Sequence, residues 1–541
     1  MLKAFDSFMP TLPQPANDQN VGFGVPPEQS MTPTVIHHTQ ICLSAMVQND
    51  FFVRKTLYLT GGMSYETKLR RLHKAVKDKR FQNIHIVGID FDEIMEDDNL
   101  SLTAILCQLL TFDRRRWKSI KLSSCHGQVG PVVQAVLASN VKRFNVSPSL
   151  QGGNETISAL GKGLRTNTTL LTLGIHNSRL SKQQIEILCN GLSENSTLLE
   201  LTLNKSTFDG FAGAYALGEG LKRCTSVKHL GFQKCGLSDT EVALIVQNLT
   251  THPSLLELSL DGNHCMSKGL DALAAVLDSS TSNLVVLDLA SQNLPKNETM
   301  DFTRFGLALG RSNKLACLQL SDNELSQESS RALSEALKRN TSLRVLHLAW
   351  CTMSEESLGL ISDGLCYNST LVKLVLYDCN ITDHGIRSFS ARLPYMTGLK
   401  RLDLGGQQRF GMDGTAALVQ GLDANMELEE VNVCRKANKR AVEFLMMYTD
   451  LNRGGRRFLR HPNAPAALWS NILENAQTVD LPSIMESWSS DSAVLTLDSE
   501  NIDRSNMDIV DDSYGDCRRD SCRRLNIVYH LLRNGVLVRN N

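Results

Sequence analysis

Residues 343–351 read LRVLHLAWC, with leucine at 343, 346 and 348 and cysteine at 351. The phrase recurs at 371–379 as LVKLVLYDC, with Leu371, Leu374, Leu376 and Cys379, and at 315–323 as LACLQLSDN, with Leu315, Leu318, Leu320 and Asn323. Followed in both directions along the chain, the phrase occurs twelve times. The copies start at Trp117, Val141, Leu170, Leu198, Val227, Leu255, Leu284, Leu315, Leu343, Leu371, Leu399 and Leu428. Successive gaps are 24, 29, 28, 29, 28, 29, 31, 28, 28, 28 and 29. A phrase repeated at a fixed period near 28 is one supersecondary unit stacked many times over.

Each copy places apolar residues at alternate positions, so they point to one face of a strand. A helix must then return the chain. Residues 331–340 (RALSEALKRN) space Ala332, Leu333, Ala336 and Leu337 along one helical face. Ala274, Ala275, Val276 and Leu277, and Ala416, Ala417 and Leu418, form similar pieces. The expected fold is α/β: a leucine-rich-repeat solenoid, or horseshoe, with parallel strands on the concave face and helices on the convex face. Twelve rungs at strand spacing would line an inner edge on the order of 50 Å long. At 541 residues a single compact core would divide, whereas a solenoid packs each repeat only on its neighbours.

Composition narrows the function classes. Apolar residues are 42% and charged residues 21%, as in a folded protein of water-exposed surface. A formal net charge of −1 provides no global field to recruit nucleic acid or anionic membrane. No run of 18 apolar residues occurs, so no transmembrane helix is expected, and residues 2–10 (LKAFDSFMP) do not read as a secretory signal. Cys125, Cys235, Cys351 and Cys379 fill the closing slot of the phrase, where a small, weakly polar residue is buried. Free core thiols and the missing signal point to a reducing compartment, the cytoplasm or the nucleus. Asn167-Thr-Thr, Asn195-Ser-Thr and Asn368-Ser-Thr match glycosylation sequons. The expected role of each Asn is instead to end a helix in a left-handed conformation before the next strand.

The expected domains follow from where the period holds. Residues 1–40 carry six of the 14 prolines and read as a disordered arm. Residues 41–116 read as an N-terminal cap with degenerate repeats: Leu57 and Leu59 suit a strand, Phe81, Ile84, Ile86 and Ile89 nearly repeat the phrase, and a helix is expected around Leu100–Leu110. Residues 117–448 are the repeat domain of about twelve repeats. Residues 449–476 are the expected C-terminal cap, with Trp469 closing the last rung. Residues 477–520 form an acidic linker, and residues 521–541 an apolar segment that either folds back on the cap or docks as a free peptide.

The chain resembles the ribonuclease-inhibitor-like class of leucine-rich repeats from Trp117 to about Tyr448. The likeness rests on the 28/29 period, the helix in every repeat and the lead-ins Asn167–Leu170, Asn195–Leu198, Asn340–Leu343 and Asn368–Leu371. Ser149, Ser178, Ser206, Gln292, Gln407 and Lys436 replace Asn or Cys in the closing slot, and weaker bonding between repeats is expected there, mainly at the two ends. The resemblance implies binding rather than chemistry. Its members include enzyme inhibitors, sensing domains of NOD-like receptors, Ran GTPase-activating proteins and actin cappers.

No catalytic, cofactor or metal motif stands out. HExxH, GxSxG and a phosphate loop are missing. The acidic run Asp90–Asp98 lacks the ligand order of a calcium loop. Cys517 and Cys522, with His530 nearby, fall short of a zinc set. The basic clusters Arg114–Arg116 and Arg453–Arg460 have no interleaved aromatics for nucleic acid.

The candidate site is the inner face. Strand positions between and just after the leucines give His229, Glu257, Asp261, Asp288 and Gln319, then the large groups His347, Trp350, Lys373, Tyr377, Asp378, Arg401 and Asp403. Trp, Tyr and Arg are typical interface anchors. Earlier rungs carry small residues there (Ser119, Thr172, Gly174, Thr202, Gly231, Ser259) and read as flat and uncharged. The expectation is a monomeric, non-enzymatic scaffold gripping a protein partner through His347, Trp350, Lys373, Tyr377, Asp378, Arg401 and Asp403, without cofactor, nucleic acid or membrane. The alternatives are a GTPase-activating protein of the Ran-regulator type and a stand-alone repeat regulator of the NOD-like-receptor type.

Overall fold

The computed structural model describes residues 56–78, 80–91, 102–113, 117–148, 153–292, 300–408, 411–433 and 439–457. Within them, fourteen parallel strands pair in chain order into one sheet. They are β1 (Thr56–Thr60), β2 (Asn83–Val87), β3 (Ser119–Cys125), β4 (Arg143–Pro148), β5 (Thr172–Ile175), β6 (Glu200–Thr202) and β7 (His229–Gly231). The series continues with β8 (Glu257–Ser259), β9 (Val286–Asp288), β10 (Cys317–Gln319), β11 (Val345–His347), β12 (Lys373–Val375), β13 (Arg401–Leu404) and β14 (Glu430–Val433). A helix follows each strand, and the whole is the leucine-rich-repeat solenoid. β1, β2 and the helix Leu102–Phe112 continue the array before Trp117, and the helix Lys439–Arg453 runs across the 448/449 boundary.

The register explains the period. Leu201, Leu230, Leu258, Leu287, Leu318, Leu346, Leu374 and Leu402 are neighbours in one row across β6–β13. All are buried, and each contributes roughly 1.5–3 kcal/mol by leaving water. Small residues bring the helices close. A side chain on Gly364 would stand 2.8 Å from the Ser334 carbonyl oxygen of the helix before. Several helices begin on a hydroxyl cap, and Ser181 with Gln184 and Ser238 with Glu241 close reciprocal capping boxes.

Two side-chain ladders tie rung to rung. In the first, Asn263 Nδ2 donates to the carbonyls of Phe232 and Leu260, both at 2.8 Å, while its Oδ1 accepts from the N–H of Cys235 and Leu237 at 3.1 Å. The weaker bonding expected at Gln292 and Gln407 does not occur. Gln292 accepts from Cys265 N–H at 2.8 Å and donates to Leu260 at 3.0 Å, and Gln407 likewise joins Ile381 N–H and the Leu376 carbonyl. One extra methylene lets the amide reach the same partners. Ser206 makes a shorter version, donating to the Ile175 carbonyl and accepting from Ser178 N–H. Ser149 and Lys436 lie outside the described residues.

The second ladder corrects the reading of the sequon asparagines. Asn340 ends its helix extended, at φ −73° and ψ 133°, and none of Asn167, Asn195, Asn340 and Asn368 is left-handed. Each is buried. Asn368 donates to the Leu337 and Asn340 carbonyls of the preceding rung and accepts from its own Thr370 and Leu371 N–H groups. The amide is therefore a bridge, and its nitrogen is enclosed by carbonyls where a glycan would have to attach.

Arg456, one of the basic cluster Arg453–Arg460, is 1% exposed. Its guanidinium donates to the carbonyls of Leu422 and Asp423 and lies 5.0 Å over the Tyr448 ring. Tyr448 and Asn452 bond back to Asp423, Asn425 and Leu428, so this group seals the last described rung. Trp469, the arm 1–40, the acidic linker 477–520, the segment 521–541, Asp92–Asp98 and Arg114–Arg116 lie outside the described residues. No helix among the described residues is long and apolar enough to cross a membrane.

Candidate protein-binding face

The strand rows define the face. One row runs Arg143, Thr172, Glu200, His229, Glu257, Val286, Cys317, Val345, Lys373, Arg401, Glu430. The next concave row runs Asn145, Gly174, Thr202, Gly231, Ser259, Asp288, Gln319, His347, Val375, Asp403, Asn432. Past the strands lies a third row that sequence reasoning missed. One residue before the closing slot, the backbone turns left-handed in rung after rung: Ser124, Asn177, Lys205, Lys234, Gly262, Ser291, Asp322, Trp350, Asp378 and Gly406. From Asn177 to Asp378 their N–H groups bond to the next rung, as Trp350 does to the Tyr377 carbonyl at 2.7 Å and Asp378 to Gly405 at 2.8 Å. The signal was present in the sequence as the position preceding each Asn/Cys slot, but nothing there discloses the sign of φ.

Left-handed backbone suits Gly, Asn and Asp and is uncommon for bulky side chains. Trp350 adopts it at φ 57° and remains 54% exposed. Its ring meets Tyr377 edge-on at 5.7 Å between centroids. The Tyr377 ring in turn lies against the bare backbone of Gly405 and Gly406. A Cβ on either glycine would fall within 2.9 Å of ring carbons. Tyr377 is thus held between a glycine step and Trp350, yet is itself 37% exposed. Asp322 and Asp378 stand one rung either side of Trp350 on the ridge, and neither is ion-paired among the described residues.

The other predicted residues gather on the strands beside this pair. His347 and Lys373 are half-buried. Burial, with a smaller push from Lys373, brings the His347 imidazole down to about 4, opposed by Asp403. Asp403 accepts from Gly405 N–H at 2.9 Å and from Asn432 at 2.8 Å, so it is held in place. Arg401 is exposed and pairs with Glu430 at 3.4 Å. Two rungs before His347, burial raises Asp288 to about 6 against bonds from Ala290 N–H and Ser259. Burial also raises Asp261.

The early rungs are not uncharged, contrary to the reading of their small residues. Lys121, Arg143, Lys205 and Lys234 are exposed, His176 and Glu200 are half-buried, and His229 pairs with Glu257 at 3.0 Å. The small residues occupy the strand rows, while the lysines emerge from the ridge and from strand positions left uncounted. Among the described residues no group of His, Cys, Asp and Glu is arranged to hold a metal ion.

Comparison with known proteins gives relatives over about a third of the chain. Mouse NACHT, LRR and PYD domains-containing protein 14 is 29% identical over 202 residues, covering 32% of this chain and 20% of that protein. Pig ribonuclease inhibitor is 29% identical over 166 residues, covering 30% and 36%. Rat leucine-rich repeat-containing protein 73 is 25% identical over 175 residues, covering 32% and 54%. The chain therefore spans between about a fifth and about half of the length of these relatives. No family model matches it.

Proposed function

We propose that this chain, a leucine-rich-repeat solenoid similar to ribonuclease inhibitor, is a non-enzymatic scaffold whose concave face binds a protein partner. The relatives support an interaction role in general. One observation carries the site. The exposed Trp350 occupies a backbone conformation that disfavours it, and Tyr377 is pinned beside it on a glycine step. Strain kept at an exposed aromatic points to use of that aromatic. Two rings already fixed in position lose little entropy on binding. His347, Lys373, Asp378, Arg401 and Asp403 form the polar surround of this anchor.

The test is capture of partners by the full chain and by a Trp350→Ala/Tyr377→Ala variant. Anchors of this kind lose at least about 2 kcal/mol each on truncation, so the specific partner should be lost from the variant while its melting curve stays near that of the parent. Equal capture by two equally stable proteins would overturn the site.

A further inference from the structure

The early rungs carry charge that the Trp350–Tyr377 anchor does not use. On the strand and ridge positions of β1–β7 stand Lys121, Arg143, Lys205 and Lys234. All four are exposed, and none is ion-paired among the described residues. Lys118, Lys142 and Lys228, one residue before the strand rows, are exposed as well. Among the described residues at the strand and ridge positions of these rungs, the one carboxylate is Glu200, half-buried and accepting from Thr172 Oγ1 at 3.1 Å. The next rung ends the basic stretch with Glu257, paired to His229, and Asp261.

Between these cations the floor is low and polar. A Cβ on Gly174 would fall 2.2 Å from Asn145 Oδ1 and 2.4 Å from His176 Nε2, so both side chains converge over bare backbone. Asn204 and Gln233 are joined side by side, at 3.1 Å between their amides. Burial lowers the His85 and His176 imidazoles, and Lys121 lowers both further, with Lys205 adding to the push on His176. The lysines thus act on one shared surface, and no carboxylate among the described residues offsets them there. Lys121 on β3 and Lys234 beyond β7 are four rungs apart, or about 19 Å at ~4.8 Å per rung, which about six residues of extended chain would span. We propose that β3–β7 receive an acidic, extended segment of the protein partner, its carboxylates lying on Lys121, Arg143, Lys205 and Lys234. A peptide suits the face better than a nucleic acid. Single strands ask for successive stacking rings, whereas Tyr58 is the one exposed aromatic at the strand and ridge positions of these rungs among the described residues, and it lies outside the Lys121–Lys234 stretch. Asn145, Thr202, Asn204 and Gln233 instead offer amide and hydroxyl groups that a peptide backbone can use. This inference rests on the concave face being the partner surface, but not on the anchor.

The test uses the purified full chain and N-acetylated hexaglutamate as the probe. Anisotropy of the labelled peptide should report binding that weakens at least about tenfold between ~0.05 and ~0.5 M salt. Carbodiimide coupling, mapped by mass spectrometry, should join the peptide to Lys121, Lys205 or Lys234 ahead of Lys222 and Lys268, which are exposed on the helical side. A Lys121→Glu/Lys205→Glu variant should bind about tenfold more weakly. A Lys222→Glu/Lys268→Glu variant, with the same change in net charge, should bind as the parent does. If the first variant melts early, Lys121→Gln/Lys205→Gln replaces it, with a smaller loss expected. No binding, equal losses in the two variants, or coupling spread evenly over all five lysines would overturn the proposal. Octathymidylate should bind more weakly than the peptide, and tighter binding would overturn the choice of a peptide. These readings need only the chain and the probe, so they stand apart from the capture experiment with the double-alanine variant. The acidic site can fail while the anchor holds, and the anchor can fail while the acidic site holds.

Discussion

The rungs up to Lys234 and the rungs from Glu257 onward share one backbone and present different faces. Both halves bury the same leucine row, and both turn left-handed at the same position. Yet the ridge of the first half carries Lys205 and Lys234, whereas that of the second carries Asp322, Trp350 and Asp378, beside Lys373, Tyr377 and Arg401. The repeat thus constrains what is buried and leaves the exposed ridge free to vary. Stability should therefore be alike in the two halves, and binding should not be.

The largest expected effect tests that likeness. Leu201→Ala and Leu346→Ala, at 1% and 0% exposure, should each destabilise by roughly 2–5 kcal/mol. Denaturant titration should find the two costs similar, and a large imbalance would break the idea of one uniform array.

The second effect is a pH dependence within the later rungs. Asp288 has its folded value raised to about 6 from 3.8. The folded state thus holds the extra proton between those values, and the stability Asp288 contributes is lost as pH rises through 6. Asp288→Asn should gain on the order of 1–3 kcal/mol at pH 7.5, at about 1.4 kcal/mol for each tenfold difference in proton affinity between the folded and unfolded chain, and lose that gain by pH 4. His347 acts with the opposite sign in the same window. Its folded value is depressed to about 4 from 6.5, so stability falls as pH drops from about 6.5 to 4. His347→Gln should flatten that fall. Melting curves across pH 4–7.5 would check both.

A third effect concerns the ladders. Asn263→Ala removes two donated and two accepted bonds inside the array and should cost about 1–3 kcal/mol. Cys351→Ala loses one weak bond to the Leu320 carbonyl and should cost less than Asn263→Ala. Equal losses in chemical denaturation would mean that slot identity matters little.

The smallest effect addresses the ridge. Lys205 is exposed at φ 58°, and Lys205→Gly should raise stability by up to about 1 kcal/mol. Trp350→Gly should gain less, because it also forfeits the edge-on contact with Tyr377. A loss of stability at Lys205→Gly would show that the lysine stem packs on its neighbours.

Much of this architecture was legible in the chain. Leu343, Leu346 and Leu348 announce a strand with one buried face, and Ala332, Leu333, Ala336 and Leu337 announce the returning helix. The roles of the asparagines were not legible. Asn340 and Asn368 read as helix ends because that is local chemistry, whereas their bonds reach residues about 30 positions away. Gln292 and Gln407 read as weak substitutes for the same reason. Their reach matters only once the neighbouring carbonyl is in place. The predicted residues Trp350 and Tyr377 do meet in space, but the glycine step that seats Tyr377 lies in the next repeat.

Residue type and spacing were enough to set the repeat, its period and the buried face, because burial of apolar surface asks for nothing more. The left-handed ridge, the seat of Tyr377 and the change of sign along the ridge came into being only with the folded array. Each of those depends on where a side chain points relative to another rung, and that direction is set by hydrogen bonds between residues far apart in the chain.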